Sequence, residues 1–420
     1  MIKKHYNSIV RNSVAAMLCC CVALCANAYS PSKYATTSKL ATGKWVKIAI
    51  PENGVYEITE QELKDMGFNN INQVHIYGDG GHMMYEGIDG KAIDDLKQIP
   101  STVLNGKLCF YGKGPVKMSF GTERFTRVIN AYSTMGYYFL HDGGSDLPIQ
   151  SAASNAIDNH AVKYTTSHDY FYHEKELFSF GSSGKDLVGE DITSGASIDF
   201  TLPQVASPSL TLLIGAASKV QSGSIALTPT ITTAGGTATS TLSNAIVKSA
   251  SSSYYNACTA SGTYTTSDLP TAGKLNVAFS TTGATVSVSK LDYFIFTYKR
   301  NNVIGNATDN QMRMAFPMLN VNDCIQLPGA TATTQLWNID NDTSMPINCE
   351  LVATDSCMQF GLPISGDNSQ WVAFDPQGTL KKIAKYEVVN NQNIHGMATP
   401  DMVIITNKVL MDQAQRMPTC

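Results

Sequence analysis

Nucleophilic catalysis by a cysteine needs a thiol, a histidine that takes its proton, and a fold that brings the two together. Six cysteines follow residue 28, with no Cys-x-x-Cys pair and no regular spacing: Cys109, Cys258, Cys324, Cys349, Cys357 and Cys420. This pattern predicts isolated, buried thiols rather than a disulfide-stapled scaffold. A bridge between Cys349 and Cys357 stays open at this stage.

Two residues are of types that occur in catalytic sites, but their positions in the sequence do not fit a catalytic role. His395 precedes Gly396, as in a catalytic His-Gly pair, yet it comes before the apolar run at 402–406 instead of after a later strand. We expect it to be a loop histidine at a domain junction. Cys420 lies beyond Pro418, where neither a base nor a helix dipole would activate it. We assign no catalytic residue.

Three patterns resemble ligand sites. His168 and His173 are five residues apart, which places them on opposite faces of a strand and disfavours zinc. Oxygen-bearing side chains alternate along Asn338–Asp342, but a calcium loop also needs a central glycine and a distal glutamate, so a polar turn is expected. Tyr77–Gly81 follows a strand without opening a helix, which favours a tight turn over a phosphate site. We assign no metal, cofactor-binding residue or cofactor.

The first 28 residues predict a cleavable signal peptide. Three positive charges at Lys3, Lys4 and Arg11 precede the apolar stretch Val14–Cys25, and Ala26–Ala28 forms a small-x-small cleavage site. The apolar stretch is about half of the roughly 20 residues that span a bilayer, which disfavours a retained anchor. We therefore expect export to the periplasm, the outer-membrane surface or the extracellular space. No later stretch is long and apolar enough to span a membrane.

Removing this segment changes the net charge from −4 to −7. No basic stripe or aromatic-interleaved basic patch follows, so nucleic acid is excluded as a partner. A lipoprotein is a weaker alternative, since Leu24 before Cys25 is larger than lipoprotein processing prefers. The 392 residues that remain predict two to four domains.

Residues 29–165 have the pattern of a β-rich domain. Alternation over 43–50, the Asn53-Gly54 turn signal and the apolar residues 55–58 predict a β-hairpin. Thr59 followed by Glu62 is a capping box for a short helix over 61–66 that Gly67 ends. Further strands are predicted at 74–77, 107–111 and 137–140.

Residues 166–300 become rich in Ser, Thr, Ala and Gly, yet β-branched residues alternate along 209–214 and 274–280. Residues 285–288 and 291–298 are predicted as a closing strand pair. Together these features favour a jelly-roll-like β-sandwich. Short strands continue through 301–398, as a second β-rich domain or as completion of the sandwich. The fold class is thus mainly β, in consecutive β-rich domains.

The pattern changes at 399–420. Met402–Thr406 is an uninterrupted apolar run, typical of a strand covered on both faces, and residues 408–417 have helical composition. A strand followed by a helix is the first unit of a parallel α/β sheet. One parallel strand lacks neighbours, so this unit either pairs with the β-rich domains or is the truncated start of a larger α/β domain.

Several segments, in order along about 44–416, resemble the gingipain-like cysteine peptidases (peptidase family C25), and among them the sortase-like members of the type IX secretion system. The segments are Lys44–Ile48 with Gly54–Tyr56, Tyr77–Gly81, His173–Lys185 with Gly189–Asp191, Leu291–Tyr293, Trp337–Asp340, Asn391–Gly396 and Pro400–Thr406.

The resemblance implies peptide-bond cleavage or transpeptidation by a Cys/His dyad on later strands of a caspase-like α/β domain. No residue here matches that dyad, so this N-terminal, β-rich portion is predicted to be inactive alone. The resemblance also implies outer-membrane type IX secretion components and protein substrates of the full-length enzyme as partners.

Two alternatives of other classes remain. A non-enzymatic surface adhesin or carbohydrate-binding β-sandwich would use exposed aromatics, for which Tyr254 and Tyr255 are the obvious pair. A chaperone-like prosegment would assist the folding of a downstream domain.

Overall fold

The structure is a computed structural model. It describes residues 34–87, 93–155, 161–179, 187–220, 224–233, 236–238, 246–248, 256–265, 272–282, 286–306, 310–340, 347–349, 352–353, 358–362 and 365–416. The chain divides into two units, one formed by residues 1–45, 84–96 and 389–420, the other by residues 46–83 and 97–388.

The larger unit begins with nine strands and one short helix. They are β1 (Trp45–Ile50), β2 (Gly54–Thr59), α1 (Glu60–Asp65), β3 (His75–Gly80), β4 (Gln98–Ile99), β5 (Thr102–Leu104), β6 (Lys107–Gly112), β7 (Val116–Gly121), β8 (Arg124–Ile129) and β9 (Gly136–His141). A 3-10 helix over Ile71–Gln73 precedes β3.

Thirteen strands without a helix follow. They are β10 (Gln150–Ala152), β11 (Lys163–Tyr164), β12 (Thr166–Glu174), β13 (Phe178–Ser179), β14 (Leu187–Val188), β15 (Ala196–Thr201), β16 (Val205–Val220), β17 (Ser224–Thr233), β18 (Gly236–Ala238), β19 (Ile246–Lys248), β20 (Asn256–Thr265), β21 (Ala272–Thr282) and β22 (Val286–Asn301).

The remaining elements are shorter on average and end in a single-turn helix region. They are a 3-10 helix (Ile304–Asn306), β23 (Gln311–Leu319), β24 (Cys324–Leu327), β25 (Gln335–Asn338), β26 (Ile347–Cys349), β27 (Val352–Ala353), β28 (Met358–Gly361), β29 (Gly366–Phe374), β30 (Lys385–Val389), a 3-10 helix (Lys408–Leu410) and α2 (Met411–Arg416).

The largest sheet has nine strands in the order β10-β26-β25-β29-β23-β12-β22-β16-β20. It joins strands from before and after residue 300. A second sheet of five strands contains β15, β21, β17 and β18 in that order, with β19 also paired to β17. The N-terminal region forms the sheets β30-β1-β9-β3-β4 and β2-β6-β5.

The two larger sheets pack face to face around one apolar core. Phe200 of β15 meets Phe296 of β22 edge-on, with ring centroids 5.0 Å apart. Leu212 of β16 and Ile231 of β17 belong to the same buried cluster. Burying one such side chain contributes about 1.5–3 kcal/mol. The mainly β class and the β-sandwich are confirmed.

The central strands of the nine-stranded sheet are buried on both faces. Phe294 and Phe296 face the sandwich core, whereas Ile295 between them packs on the opposite side. Alternate residues of a strand point to opposite faces, so this placement requires an unbroken apolar run. The hairpin β7–β8 covers that second face through Phe120 and Phe125.

The predicted hairpin over residues 43–58 is wrong in its pairing. β1 lies between β9 and β30, whereas β2 pairs with β6. Both strands are buried along most of their length, so each needs its own neighbours. The side chain of Asn53 bonds instead to the backbone of Gly114 and Val116, which ties the turn to the β6–β7 connection.

The closing strand pair predicted at 285–298 is also wrong. β22 is one continuous strand from Val286 to Asn301. No glycine, proline or asparagine lies between residues 288 and 291, so no turn interrupts it. The strand instead contains a pairing irregularity: its register with β16 shifts between the partners of Gly215 and Ala216.

The predicted capping box is present. Thr59 Oγ1 accepts from the backbone N–H of Glu62, and the Glu62 carboxylate accepts from the backbone N–H of Thr59 at 2.6 Å. Lys382 lies 3.2 Å from the same carboxylate. Burial opposes ionisation of Glu62, but these bonds and Lys382 hold its pKa below the ordinary value. A cap of this kind stabilises a short helix by about 1 kcal/mol.

The smaller unit contains the 3-10 helix Lys39–Ala41, the 3-10 helix Lys408–Leu410 and α2. Residues 402–406 belong to no helix or strand, and no described strand pairs with them. Among the described residues, no helix combines the length and the hydropathy that crossing a bilayer requires.

Candidate functional site

The two cysteines whose side chains the structure describes are buried free thiols. Cys109 lies in β6 and Cys324 in β24. The Cys109 Sγ faces the carbonyl of Lys107 at 3.6 Å, and the Cys324 Sγ faces the amide oxygen of Gln359 at 3.6 Å. Burial first, and then the nearby Glu57, raises the pKa of Cys109 to about 12. A thiol with this pKa is not a nucleophile at neutral pH.

His395 holds two loops of the smaller unit together. Its Nδ1 lies 2.9 Å from Ser38 Oγ, and its Nε2 lies 3.1 Å from Asp94 Oδ1. The backbone N–H of His395 also donates to Ser38 Oγ at 3.1 Å. Ser38 is buried, and the adjacent Asn391 amide donates to the Leu40 carbonyl. Although the side chains are Ser, His and Asp, the hydroxyl is enclosed, so the set positions loops.

His168 and His173 point away from each other, to opposite faces of β12. His168 packs against Phe120 of the β7–β8 hairpin, with centroids 5.2 Å apart. His173 stacks on Phe294 in the sandwich core and bonds to Glu190 at 2.9 Å. The two imidazoles therefore do not share a ligand site.

Hydrogen bonds tie the polar residues at the end of β25 to β29. The Asn338 amide donates to Asp340 Oδ2 at 2.7 Å, and Ser369 Oγ donates to the same oxygen. Asp340 Oδ1 accepts from the backbone N–H of Gln370. Both oxygens of this carboxylate are thus used by protein donors, whereas Asn341 and Asp342 of the predicted polar turn lie outside the described residues.

The tight turn predicted for Tyr77–Gly81 is wrong, because Gly78 and Gly80 lie within β3. The glycines instead allow a close approach of chain segments. Gly80 has φ +85°, and a Cβ there would lie 2.6 Å from the Tyr138 hydroxyl. A Cβ on Gly81 would lie 2.6 Å from the backbone of Gly136. These contacts explain the glycine-rich sequence through packing and backbone conformation.

A buried ion cluster joins β8, β12 and β22. Glu174 Oε1 accepts from Arg127 Nη2 at 2.6 Å, and Tyr172 donates to the other carboxylate oxygen. The same Nη2 lies 3.2 Å from Asp292. Burial raises the pKa of Glu174 to about 8. Three carboxylates, of Glu174, Glu176 and Asp292, converge here, but Arg127 already supplies the positive charge, and we assign no metal.

A second buried network centres on Asp169, which is 2 % exposed. Its Oδ2 accepts from Arg300 Nη1 at 2.8 Å, and its Oδ1 accepts from Arg313 Nε at 3.1 Å. The network ties β12 to β22 and β23. Its partners are more than 130 residues apart in sequence, so no local motif predicts it; an aspartate among the aromatics of β12 is the only signal.

The apolar run predicted as a buried strand is exposed. Val403 and Ile405 are 71 % and 95 % exposed, and Val409 in the following 3-10 helix is 85 % exposed. Asn407 caps that helix by accepting from the Val409 N–H. Exposed apolar residues this close together are unusual on a soluble protein and mark interaction surfaces.

Several predictions lie outside the described residues. They concern the signal peptide 1–28, the Cys349–Cys357 bridge, Tyr254 with Tyr255, and Cys420.

No family model and no curated protein matches this chain. Among solved structures, dimeric latent PorU from Porphyromonas gingivalis is similar, with a TM-score of 0.76 and 24 % identity over 92 % of this chain and 36 % of that chain. The VP2 subviral particle of infectious bursal disease virus has a TM-score of only 0.18, at 14 % identity over 80 % of this chain and 61 % of that chain, which is too low to indicate a shared fold. This chain therefore shares the fold of about a third of PorU.

Proposed function

We propose that this chain is the exported, non-catalytic β-rich portion of a gingipain-like protein of the sortase-like, type IX secretion kind. The observation that carries the proposal is the fold shared with PorU over 92 % of this chain. The ordered resemblance of segments along 44–416 supports the same assignment. In this function the β-sheets form a rigid support for an α/β layer and for outer-membrane partners.

The described thiols support a non-catalytic role. Cys109 and Cys324 are buried in strands, and the partners of His395 are Ser38 and Asp94. The Cys109 thiol contacts the Lys107 carbonyl, and the Cys324 thiol contacts the amide oxygen of Gln359. A cysteine peptidase needs that pair, because the histidine generates the thiolate that attacks the carbonyl.

Hydrolysis assays test this half of the proposal. The mature chain is expected to show no turnover of Arg- or Lys-ester substrates above the buffer rate. Turnover that disappears in the Cys420→Ala, His395→Ala double variant would assign catalysis to these residues and overturn the proposal. Turnover that persists in that variant would overturn it equally, through another site.

The exposed segment 402–411 is proposed to be where the α/β layer attaches. An apolar, β-branched run is suited to a parallel strand that is buried on both faces, and in this chain Val403 and Ile405 meet solvent. The occupant is an α/β sheet edge that supplies the neighbouring strand and covering helices.

Paired substitutions test whether the segment is unpacked in the chain alone. The Val403→Asp, Ile405→Asp variant should lower binding of a hydrophobic dye and leave the melting temperature unchanged. Val46→Asp, at a fully buried position of β1, is the destabilising control. A large loss of stability in the 403/405 variant would show that these residues already pack in a closed domain.

Export and domain organisation are proposed together. We propose cleavage after Ala28, and β-rich domains over 29–165, 166–300 and 301–398, followed by the α/β start at 399–420. The nine-stranded sheet contains strands from both sides of residue 300, which supports completion of the sandwich by the third segment.

N-terminal sequencing of the exported protein should give Tyr29 as the first residue; retention of residues 1–28 would contradict export by this route.

A further inference from the structure

An open cleft of about 550 Å³ lies in the larger unit, between the tip of the β7–β8 hairpin and the nine-stranded sheet. Ligand pockets are typically about 300–1,000 Å³, so this volume suits a small molecule. The tip contributes Thr122, Glu123 and Arg124, and the sheet contributes hydroxyls together with His168 and Lys299.

The floor of the cleft is built from three neighbouring strands. His168 of β12 lies directly opposite Lys299 of β22, and Thr297 of β22 lies opposite Thr211 of β16. Residues 297 and 299 are two apart, so their side chains share one face of the sheet. The floor therefore brings a basic and an imidazole side chain next to a row of hydroxyls, including Ser209.

The hairpin is fixed over this floor. Phe125 packs against Tyr170 with ring centroids 4.7 Å apart, and Phe120 packs against His168. The Phe125 N–H donates to Thr297 Oγ1 at 2.9 Å, in a buried contact. The walls of the cleft are thus held in place before any ligand arrives.

The tip of the hairpin is a strained two-residue turn. Thr122 and Glu123 have φ of +53° and +57°, and Gly121 pairs with Arg124 across them. Turns of this kind normally use Asn-Gly, because other residues, and β-branched threonine above all, adopt positive φ at a cost. Strain of this kind is concentrated at functional sites, and here it places two side chains at the mouth of the cleft.

The charged side chains that line the cleft give it a net positive charge. Its lining has two cationic side chains, Arg124 and Lys299, and one carboxylate, that of Glu123. Burial, and then Lys299, holds the pKa of His168 below its ordinary value, while the imidazole bonds to the Ala315 carbonyl. An anion in the cleft would reduce the repulsion between Lys299 and a protonated His168.

We propose that this cleft binds an oxyanion, the phosphate or carboxylate group of a small polar ligand. Arg124 and Lys299 supply charge-assisted hydrogen bonds, which are the strong ones for such groups. Hydroxyls of Ser209 and Thr211 supply neutral donors, and His168 supplies a further donor when it is protonated. The proposal is independent of any attached α/β domain.

Titration of the mature chain with inorganic phosphate, and separately with acetate, tests the proposal by NMR of the His168 imidazole at constant ionic strength. Saturable shifts with a dissociation constant in the millimolar range, and an increase in the His168 pKa, are expected for at least one anion. Arg124→Gln and Lys299→Gln should each weaken binding by about 3- to 10-fold.

Glu123→Gln should have the opposite effect on anion binding. It removes the negative charge at the mouth of the cleft and should strengthen binding by about 2- to 5-fold. Lys163→Gln, on strand β11 and outside the lining of the cleft, is the matched control and should change nothing. Linear, non-saturating shifts for both anions would overturn the proposal. So would equal effects of Lys163→Gln and Lys299→Gln, because bulk charge would then explain the shifts.

Discussion

Replacing Asp169 by asparagine should be among the most destabilising single changes in the chain. The carboxylate joins three strands through Arg300 and Arg313. Arg300 is 4 % exposed, and its Nε and Nη2 have no hydrogen-bond partner among the described residues. Asparagine preserves the shape of the site but removes the negative charge, which leaves the Arg300 guanidinium buried without compensation.

The expected loss follows from the burial of the two arginines. Breaking a buried ion pair by removing one partner costs about 3–5 kcal/mol. The Arg313 side chain is 41 % exposed, so losing its ion pair with Asp169 costs at most about 1 kcal/mol. This cost is included in the range of about 3–5 kcal/mol. At a urea m-value of about 3 kcal/mol/M, the unfolding midpoint should fall by about 1 to 1.7 M.

Urea unfolding followed by tryptophan fluorescence measures this loss. Asp199→Asn is the matched control, because Asp199 pairs with Lys274 on the surface and should change stability by less than about 0.5 kcal/mol. The Asp169→Leu, Arg300→Met double variant should recover most of the stability, since neither charge then remains buried. If Asp169→Asn behaves like Asp199→Asn, the reasoning about this network is refuted.

Three further outcomes follow from the described contacts. Cys109 should resist thiol reagents in the folded chain, because burial raises its pKa to about 12, and should react after urea unfolding; mass spectrometry of its peptide checks this, and rapid native labelling would contradict it. The lowered pKa of His168 means that the folded state binds fewer protons than the unfolded state below about pH 6.5. Stability should therefore fall as pH falls through this range, and His168→Gln should reduce the slope; an unchanged slope would contradict the assignment. His395→Ala removes the clamp on two loops and should speed tryptic cleavage at Lys39, whereas an unchanged rate would show that the clamp contributes nothing.

Local patterns predicted part of the local structure, but not the unbroken strand β22 or the exposed segment 402–406. The capping box of Thr59 and Glu62 and the sandwich strands were identifiable, because each depends on residues a few positions apart. The pairing of β1 was not, because a turn signal at Asn53-Gly54 specifies a change of direction and not which strands become neighbours. Because β1 and β2 are both buried along most of their length, each pairs with other strands and not with the other.

Sites built from distant segments were missed for the same reason. Asp169 and Arg300 are 131 positions apart, and the cleft combines a hairpin tip with three strands. A sequence shows Lys299 and His168 only as two separate basic residues. Their adjacency follows from the register of β12 against β22, which the whole sheet fixes.

Hydrogen exchange of a chain that starts at Tyr29 tests the central claim most directly. If residues 402–406 are a strand-forming segment that awaits an α/β layer, the amides of Val403 and Ile405 should exchange at nearly the unprotected rate. Amides of Phe294 and Phe296 in the same sample should be strongly protected, because they lie in the middle of the largest sheet. Equal protection of both segments would contradict the account, since residues 402–406 would then belong to a closed, paired domain.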